Sequence, residues 1–159
     1  MKKIILLILL FLFVGCSSTK NKIKDITIIN GLMYQNQPFT SQDKNNYENG
    51  KSSGRVGNWK RAKDYCSNLT LTDYSDWRLP TNIELKKLLT KNKNRNSHGY
   101  YYNINKKFLE NMPPLNGKYK GASFWSATEN LPFAWIVSFI GGYDGFLSKR
   151  DRYYTLCVR

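Results

Sequence analysis

The sequence predicts an α+β domain of two helices and a twisted antiparallel sheet, closed by one disulfide from the first helix to the last strand. Two helix starts come first. Asn58 stands before Trp59, Ala62, Cys66 and Leu69, whose spacing puts them on one helical face. Thr81 is followed three residues later by Glu84, the pattern of a capping box. The second observation is the last third of the chain. Ala134–Phe139, Phe146–Leu147 and Tyr153–Val158 are β-rich runs, separated by turn-forming glycine and polar residues. Helices followed by hairpin-spaced strands imply α+β rather than a parallel sheet. The third is the cysteine count of three, which is odd and needs one cysteine used elsewhere.

That cysteine lies at the start. Met1-Lys2-Lys3 precedes an apolar run from Ile4 to Val14, and Gly15-Cys16 ends it. Two cations, a short apolar core and a small residue are the parts of a secretory signal. The run is shorter than the roughly 20 residues a spanning helix needs. Leu12-Phe13-Val14-Gly15-Cys16 resembles the lipobox of bacterial lipoproteins, with Phe13 in place of the usual aliphatic residue. The expected organisation is a signal peptide over residues 1–15, a lipidated tether over 16–25 and a domain over 26–159. The other reading leaves Cys16 as a free thiol, which exported proteins usually avoid. With Cys16 lipidated, Cys66 and Cys157 are left to pair, and a disulfide persists outside the reducing cytosol. The expected location is the bacterial cell envelope, lipid-anchored, at the outer membrane.

Along the domain, Ile26–Gly31 reads as a strand ending in a turn, with Leu32–Gln35 as its hairpin partner. Thr40–Gly57 has no hydrophobic period and reads as a long loop. In the second helix Ile83, Leu85, Leu88 and Leu89 form the apolar face, and Asn92 is where it frays. Ala134–Phe139 is too continuously apolar for a half-exposed strand. Trp59, Trp77, Trp125 and Trp135 all fall in regular segments and are assigned to the core rather than to a sugar platform.

The formal charge is +14. Such an excess suits acidic partners: sulfated or uronic polysaccharide, anionic lipid, or nucleic acid. A lysine-, asparagine-, isoleucine- and tyrosine-rich composition also follows from A/T-rich codons, so distribution has to decide. From Leu85 to Leu109 there is no Asp or Glu, while Lys86, Lys87, Lys91, Lys93, Arg95, Lys106 and Lys107 crowd together. Lys91–Gly99 reads as an exposed polar loop leading into Tyr100, Tyr101 and Tyr102. These cations, with Tyr100 and Tyr101, are the candidate polyanion site. Ammonium and guanidinium groups pair with sulfate or carboxylate while the rings pack on apolar sugar faces. A solvated loop with tyrosines turned back to the core is the other reading. Lys149-Arg150-Asp151-Arg152 is a second cluster with the same ambiguity.

Catalysis, metals and cofactors find little support. His98 is the only histidine and is adjacent to Ser97, a spacing that rarely gives a nucleophile–base pair. Asp73 and Asp76 are expected to satisfy backbone amides in a turn. There is no tight set of zinc ligands. Calcium needs six to eight oxygens, and Glu129-Asn130-Leu131-Pro132 has the wrong order for a calcium-lectin loop.

Six ordered segments then carry a resemblance. They are Gly31–Gln35, Trp59–Cys66, Asp76-Trp77-Arg78-Leu79-Pro80-Thr81 with Glu84-Leu85, Phe124–Thr128, Ala134–Val137 and Cys157-Val158-Arg159. Together they resemble the C-terminal domain family of the Legionella collagen-like adhesin, also designated DUF1566, over about residues 26–159. Tyr34 stands where that family commonly has tryptophan. The resemblance implies a fold like those of C-type lectins and formylglycine-generating enzymes, and a disulfide from first helix to last strand. The named adhesin binds sulfated glycosaminoglycans through basic surfaces. Two expectations follow: a membrane-anchored, non-catalytic module with adhesin-like recognition of an acidic polysaccharide or glycosaminoglycan, or a structural lipoprotein docking to another envelope protein. Nucleic acid is a poor partner for an exported domain.

Overall fold

The computed structural model of the protein describes residues 24–115 and 121–159. The expected signal peptide, Cys16 and most of the tether lie outside the described residues. Strands β1 (Ile26–Ile29) and β2 (Leu32–Gln35) form an antiparallel hairpin. Its turn is Asn30-Gly31, both at positive φ (50° and 78°), the backbone that a two-residue hairpin requires. Helix α1 (Ser41–Glu48), strand β3 (Val56–Gly57), helix α2 (Trp59–Ser67) and helix α3 (Asn82–Lys86) follow. A second hairpin, β4 (Leu89–Arg95) and β5 (Tyr101–Ile104), leads into a 3-10 helix over Lys106–Asn111. The last third supplies β6 (Ser123–Asn130), β7 (Phe133–Ser138), β8 (Tyr143–Ser148) and β9 (Tyr153–Tyr154). These join β3 in a five-stranded sheet of order β3-β9-β6-β7-β8, antiparallel except where β6 meets β9.

The α+β class, the antiparallel sheet and the helix-to-C-terminal disulfide are as expected. Cys66 on α2 is bonded to Cys157, with Cα atoms 5.5 Å apart across 91 residues of chain. Both predicted caps form. The Asn58 side chain accepts from the Arg61 N–H, and Thr81 and Glu84 make a reciprocal capping box. Trp59, Ala62 and Cys66 are buried together with Trp77, Leu79, Trp125 and Ile136 in one core cluster. A second cluster gathers Tyr34, Leu85, Leu88, Phe124, Phe139 and Tyr154.

Four expectations need correction. Thr40–Gly57 is not a loop throughout: α1 forms behind a capping box of Thr40 with Asp43. It lacks an apolar stripe because polar and aromatic contacts hold it. Asn46 Nδ2 donates to Ser53 O at 3.2 Å, and the Tyr47 ring stacks on Tyr154 at 4.7 Å. The second helix stops at Lys86, not near Asn92. Leu85 and Leu88 are buried, but Ile83 is 71 % exposed, and Leu89 pairs with Ile104 as a strand. The Lys91–Gly99 stretch is largely strand for the same reason. Lastly, regular pairing of the closing strand covers only Tyr153–Tyr154.

Beyond Tyr154 the chain leaves the sheet and threads between two other segments. Met33 and Arg159 exchange both backbone bonds (3.0 and 2.9 Å), and the Gln35 N–H donates to Cys157 O at 2.9 Å. On the other side Arg78 and Val158 exchange theirs, each at 2.9 Å. Cys157 and Val158 are fully buried. The disulfide fixes this segment to α2. Closing a loop of this size removes about 4–5 kcal/mol of unfolded-chain freedom in the entropy model. The double change Cys66→Ala, Cys157→Ala should therefore lower stability by about 3 kcal/mol or more, read as a fall in the urea midpoint. Dithiothreitol should have a matching effect on the wild-type protein and none on the variant.

Candidate functional site

The β4–β5 hairpin carries most of the cations singled out from the sequence. Its register slips between Leu89 and Asn94, so the middle of β4 bulges away from β5. Asparagine side chains replace the missing ladder bonds. Asn94 Nδ2 donates to Ile104 O at 3.0 Å, and Asn103 Nδ2 donates to Thr90 O at 3.2 Å. The turn closes through Asn96, whose Oδ1 accepts from the Tyr100 N–H at 2.9 Å. A strand with almost no apolar residue is thus held by amides, and its lysines are left to solvent.

Lys91, Lys93 and Arg95 are exposed on β4 and make no ion pair among the described residues. Arg95 sits opposite Tyr101 in register, with its guanidinium carbon 5.7 Å from that ring's centre. Tyr101 is 51 % exposed. The three tyrosines part company: Tyr102 is fully buried and donates to Pro113 O at 2.7 Å, with burial raising its pKa. Tyr100 is half-buried and lines a cavity of about 300 Å³ with His98, Glu110 and Met112. Lys106 and Lys107 are exposed at the start of the 3-10 helix, and Lys87 caps α3.

The acid-free stretch in sequence is not acid-free in space. Glu110 returns to the hairpin turn, accepting from the Ser97 hydroxyl at 2.5 Å and from its N–H at 3.1 Å. These two donors hold the Glu110 carboxyl below its ordinary range. The Ser97 hydroxyl is thereby directed to Glu110 and not to His98. Lys86 lies 3.0 Å from Asp144, whose carboxyl is held down first by the Asn82 amide and then by Lys86. Of the cations in this stretch, Lys87, Lys91, Lys93, Arg95, Lys106 and Lys107 have no ion-pair partner among the described residues.

Asp76 does more than serve a backbone amide in its turn. It takes a two-point bond from the Arg159 guanidinium, at 2.7 and 3.1 Å, and that pairing lowers its pKa. The Lys149 ammonium pairs with Glu129 at 2.5 Å and also lies 4.3 Å from the Trp59 ring centre.

Two features escaped the sequence reading. Trp135 is only half-buried, and Phe133 and Phe146 are 37 % and 48 % exposed. The apolar run of β7 is thus open on one face near its start, where Trp135 and Phe146 meet edge to face at 5.6 Å. The spacing of Phe133 and Trp135 by two residues was the available signal. The other is Arg55, 5 % exposed in a chain segment with no pattern to mark it. Among the described residues no group of three His, Cys, Asp or Glu side chains is placed to hold a metal.

A disulfide-locked α+β domain with a basic hairpin on its surface is the class these features define. The chain belongs to the Lcl C-terminal domain family, named for the Legionella collagen-like protein, which matches over residues 26–159. No curated protein matches it. The segments that carried the resemblance have scaffold roles here. Trp77 and Leu79 are buried, Thr81 caps α3, and Arg78 grips Glu84 at 2.7 and 2.8 Å. Tyr34 is fully buried and donates to Glu84 O at 3.0 Å, and burial pushes its hydroxyl up to about 12. The basic hairpin lies outside those segments.

Glu84 joins the two halves of this scaffold. The Arg78 fork, followed by the Thr81 donors, lowers its carboxyl from 4.5 to about 2. A carboxylate with a depressed native pKa stabilises the fold above its unfolded value and loses that contribution as pH falls through the native one. Glu84→Gln should cost about 1–2 kcal/mol at pH 7. In urea titrations the gap between the two proteins should hold at neutral pH and close between pH 4.5 and about 2.

Proposed function

We propose that this protein is a membrane-anchored envelope lipoprotein whose domain is a non-catalytic binding module for an acidic glycan. The observation that supports this best is the β4 strand. Lys91, Lys93 and Arg95 are displayed by an ordered hairpin rather than a loose loop, and none has an ion-pair partner among the described residues. Ordering matters because a preformed array loses less side-chain and backbone freedom on binding. Arg95 against Tyr101 adds a flat, partly apolar surface beside the charges. Sulfate or uronate groups meet the cations, and the sugar ring meets the tyrosine.

A second reading, docking to another envelope protein, draws support from β8. It ends the five-stranded sheet, and Phe146 and Tyr143 on it are exposed beside Phe133. Edge strands with exposed aromatic side chains are common protein contact sites.

Two experiments address the proposal. Heparin serves as the polyanion probe. Replacing Lys91, Lys93 and Arg95 together with Gln should weaken heparin binding roughly tenfold or more and flatten its dependence on log salt, because fewer counterions are released. Thermal stability should barely move, since the three side chains are exposed. Unchanged affinity with an unchanged slope would make the basic charge compositional and favour the docking reading. For the anchor, Cys16→Ser should abolish lipid labelling and release the protein from membranes. Retention of the variant through a high-salt wash would mean that the anchor lies elsewhere.

A further inference from the structure

A cavity of about 560 Å³ opens between α1, the Ser53–Arg55 turn and α2, well apart in sequence from the basic hairpin. Its lining includes Asp25, Gln37, Gln42, Asp43, Arg55 and Tyr65. Arg55 is the unusual member. Its guanidinium packs 3.6 Å from the centre of the Phe39 ring, Nε donates to Thr155 O at 3.3 Å, and Nη1 donates to Gln37 O at 2.7 Å. Both acceptors are neutral carbonyls. Among the described residues Nη2 has no hydrogen-bond partner, although the side chain is almost wholly buried. Asp43 makes no ion pair with the Arg55 guanidinium. Its Oδ2 accepts from the Thr40 N–H and hydroxyl, and its Oδ1 accepts from the Arg55 backbone N–H at 3.2 Å. Burial lowers the Arg55 pKa to about 10, which still leaves it charged at neutral pH. Buried charges are normally paired, and this one has no ion pair among the described residues.

The rest of the lining is complementary. The Tyr65 hydroxyl accepts from Gln35 Nε2 at 2.9 Å, so its own proton is free to be donated. Asp25 Oδ2 accepts a long 3.4 Å bond from Gln37 Nε2, and its other oxygen has no hydrogen-bond partner among the described residues. Gln42 donates to Asn46 at 2.9 Å, which leaves the Gln42 carbonyl open as well. The cavity thus offers two donors, one of them charged, and two acceptors, one of them charged.

We propose that this cavity binds one small carboxylate that carries hydrogen-bond donors of its own, either hydroxyls or an ammonium group. The ligand carboxylate bonds to Arg55 Nη2 and the Tyr65 hydroxyl, and its donors face Asp25 and Gln42. A single uronate residue and a free amino acid share the required chemistry. The site is separate from the hairpin and does not rest on the polyanion reading.

The test is a titration of ¹⁵N-labelled protein with D-glucuronate, glycine, D-glucose and inorganic sulfate. Glucuronate or glycine should shift the amides of Thr40, Gln42 and Gly54 saturably, and the stronger of the two identifies hydroxyl or ammonium as the partner of Asp25. Glucose and sulfate should shift them at least roughly tenfold more weakly, since each lacks half of the pattern. Tyr65→Phe, which removes one proton donor at a half-buried position, should weaken binding roughly tenfold. Arg55→Lys should weaken it further, and if that protein fails to fold, Tyr65→Phe decides. The hairpin triple variant should bind the carboxylate as the wild type does. The proposal is overturned if neither carboxylate shifts those amides, if glucose or sulfate binds equally well, if Tyr65→Phe changes nothing, or if the hairpin variant loses the response.

Discussion

The segment Leu156–Arg159 is the constraint on which the fold depends. Its backbone is paired with β2 on one side and with Arg78 on the other, Cys157 is bonded to α2, and the Arg159 guanidinium is held by Asp76 and lies over the Tyr74 ring at 3.6 Å. Four residues thereby tie together the first hairpin, the first buried helix and the entry to α3. These backbone bonds do not depend on side-chain identity. The side chains then add specificity: Val158 is buried in one core cluster and Cys157 in the other, where its bond to Cys66 fixes the register.

What the sequence revealed about this architecture depended on signals that are local. Asn58 and Thr81 announce helix starts because capping is decided within four residues. Asn30-Gly31 announces a hairpin because few other residues accept positive φ. The cysteine pairing was accessible because parity is a counting argument. By contrast, α1 and β4 carry no apolar period and were misread as loops. Their stability comes from partners far along the chain: Asp43 with Arg55, Tyr47 with Tyr154, and Asn103 with Thr90. Helix α3 was read too long because Leu88 and Leu89 suit a helix face and a strand equally well, and only their pairing with Asn105 and Ile104 decides. For the candidate site, the positions of the cations were legible, while their pairing was not. That Lys86 meets Asp144 across 58 residues follows from the packing of α3 on the sheet.

The few acidic residues are largely committed to building the domain. Asp43 and Glu84 cap helices, Asp76 fixes the C-terminal segment, Glu110 closes the hairpin turn, and Asp144 and Glu129 each hold a lysine. Internal neutralisation therefore consumes nearly every negative charge near the positive ones. Among the described residues the positive excess is not spread evenly but emerges where no scaffold carboxylate reaches, as along β4. Charges beyond about 8 Å are screened at physiological salt, so a surface of this kind is read by a partner locally, strand by strand, and not through the net charge of the molecule.

The threading of Leu156–Arg159 has a consequence for the order in which the molecule can assemble. The partners of this segment, Met33, Gln35 and Arg78, precede it by roughly a hundred residues, so their bonds close very large loops and form late. Until that segment docks, β2 and the motif around Trp77 lack backbone partners on one side. A nascent chain of this kind has local helix starts but no means of completing its core. Completion of the core is therefore tied to the docking of Leu156–Arg159, the contact of highest sequence separation in this part of the fold.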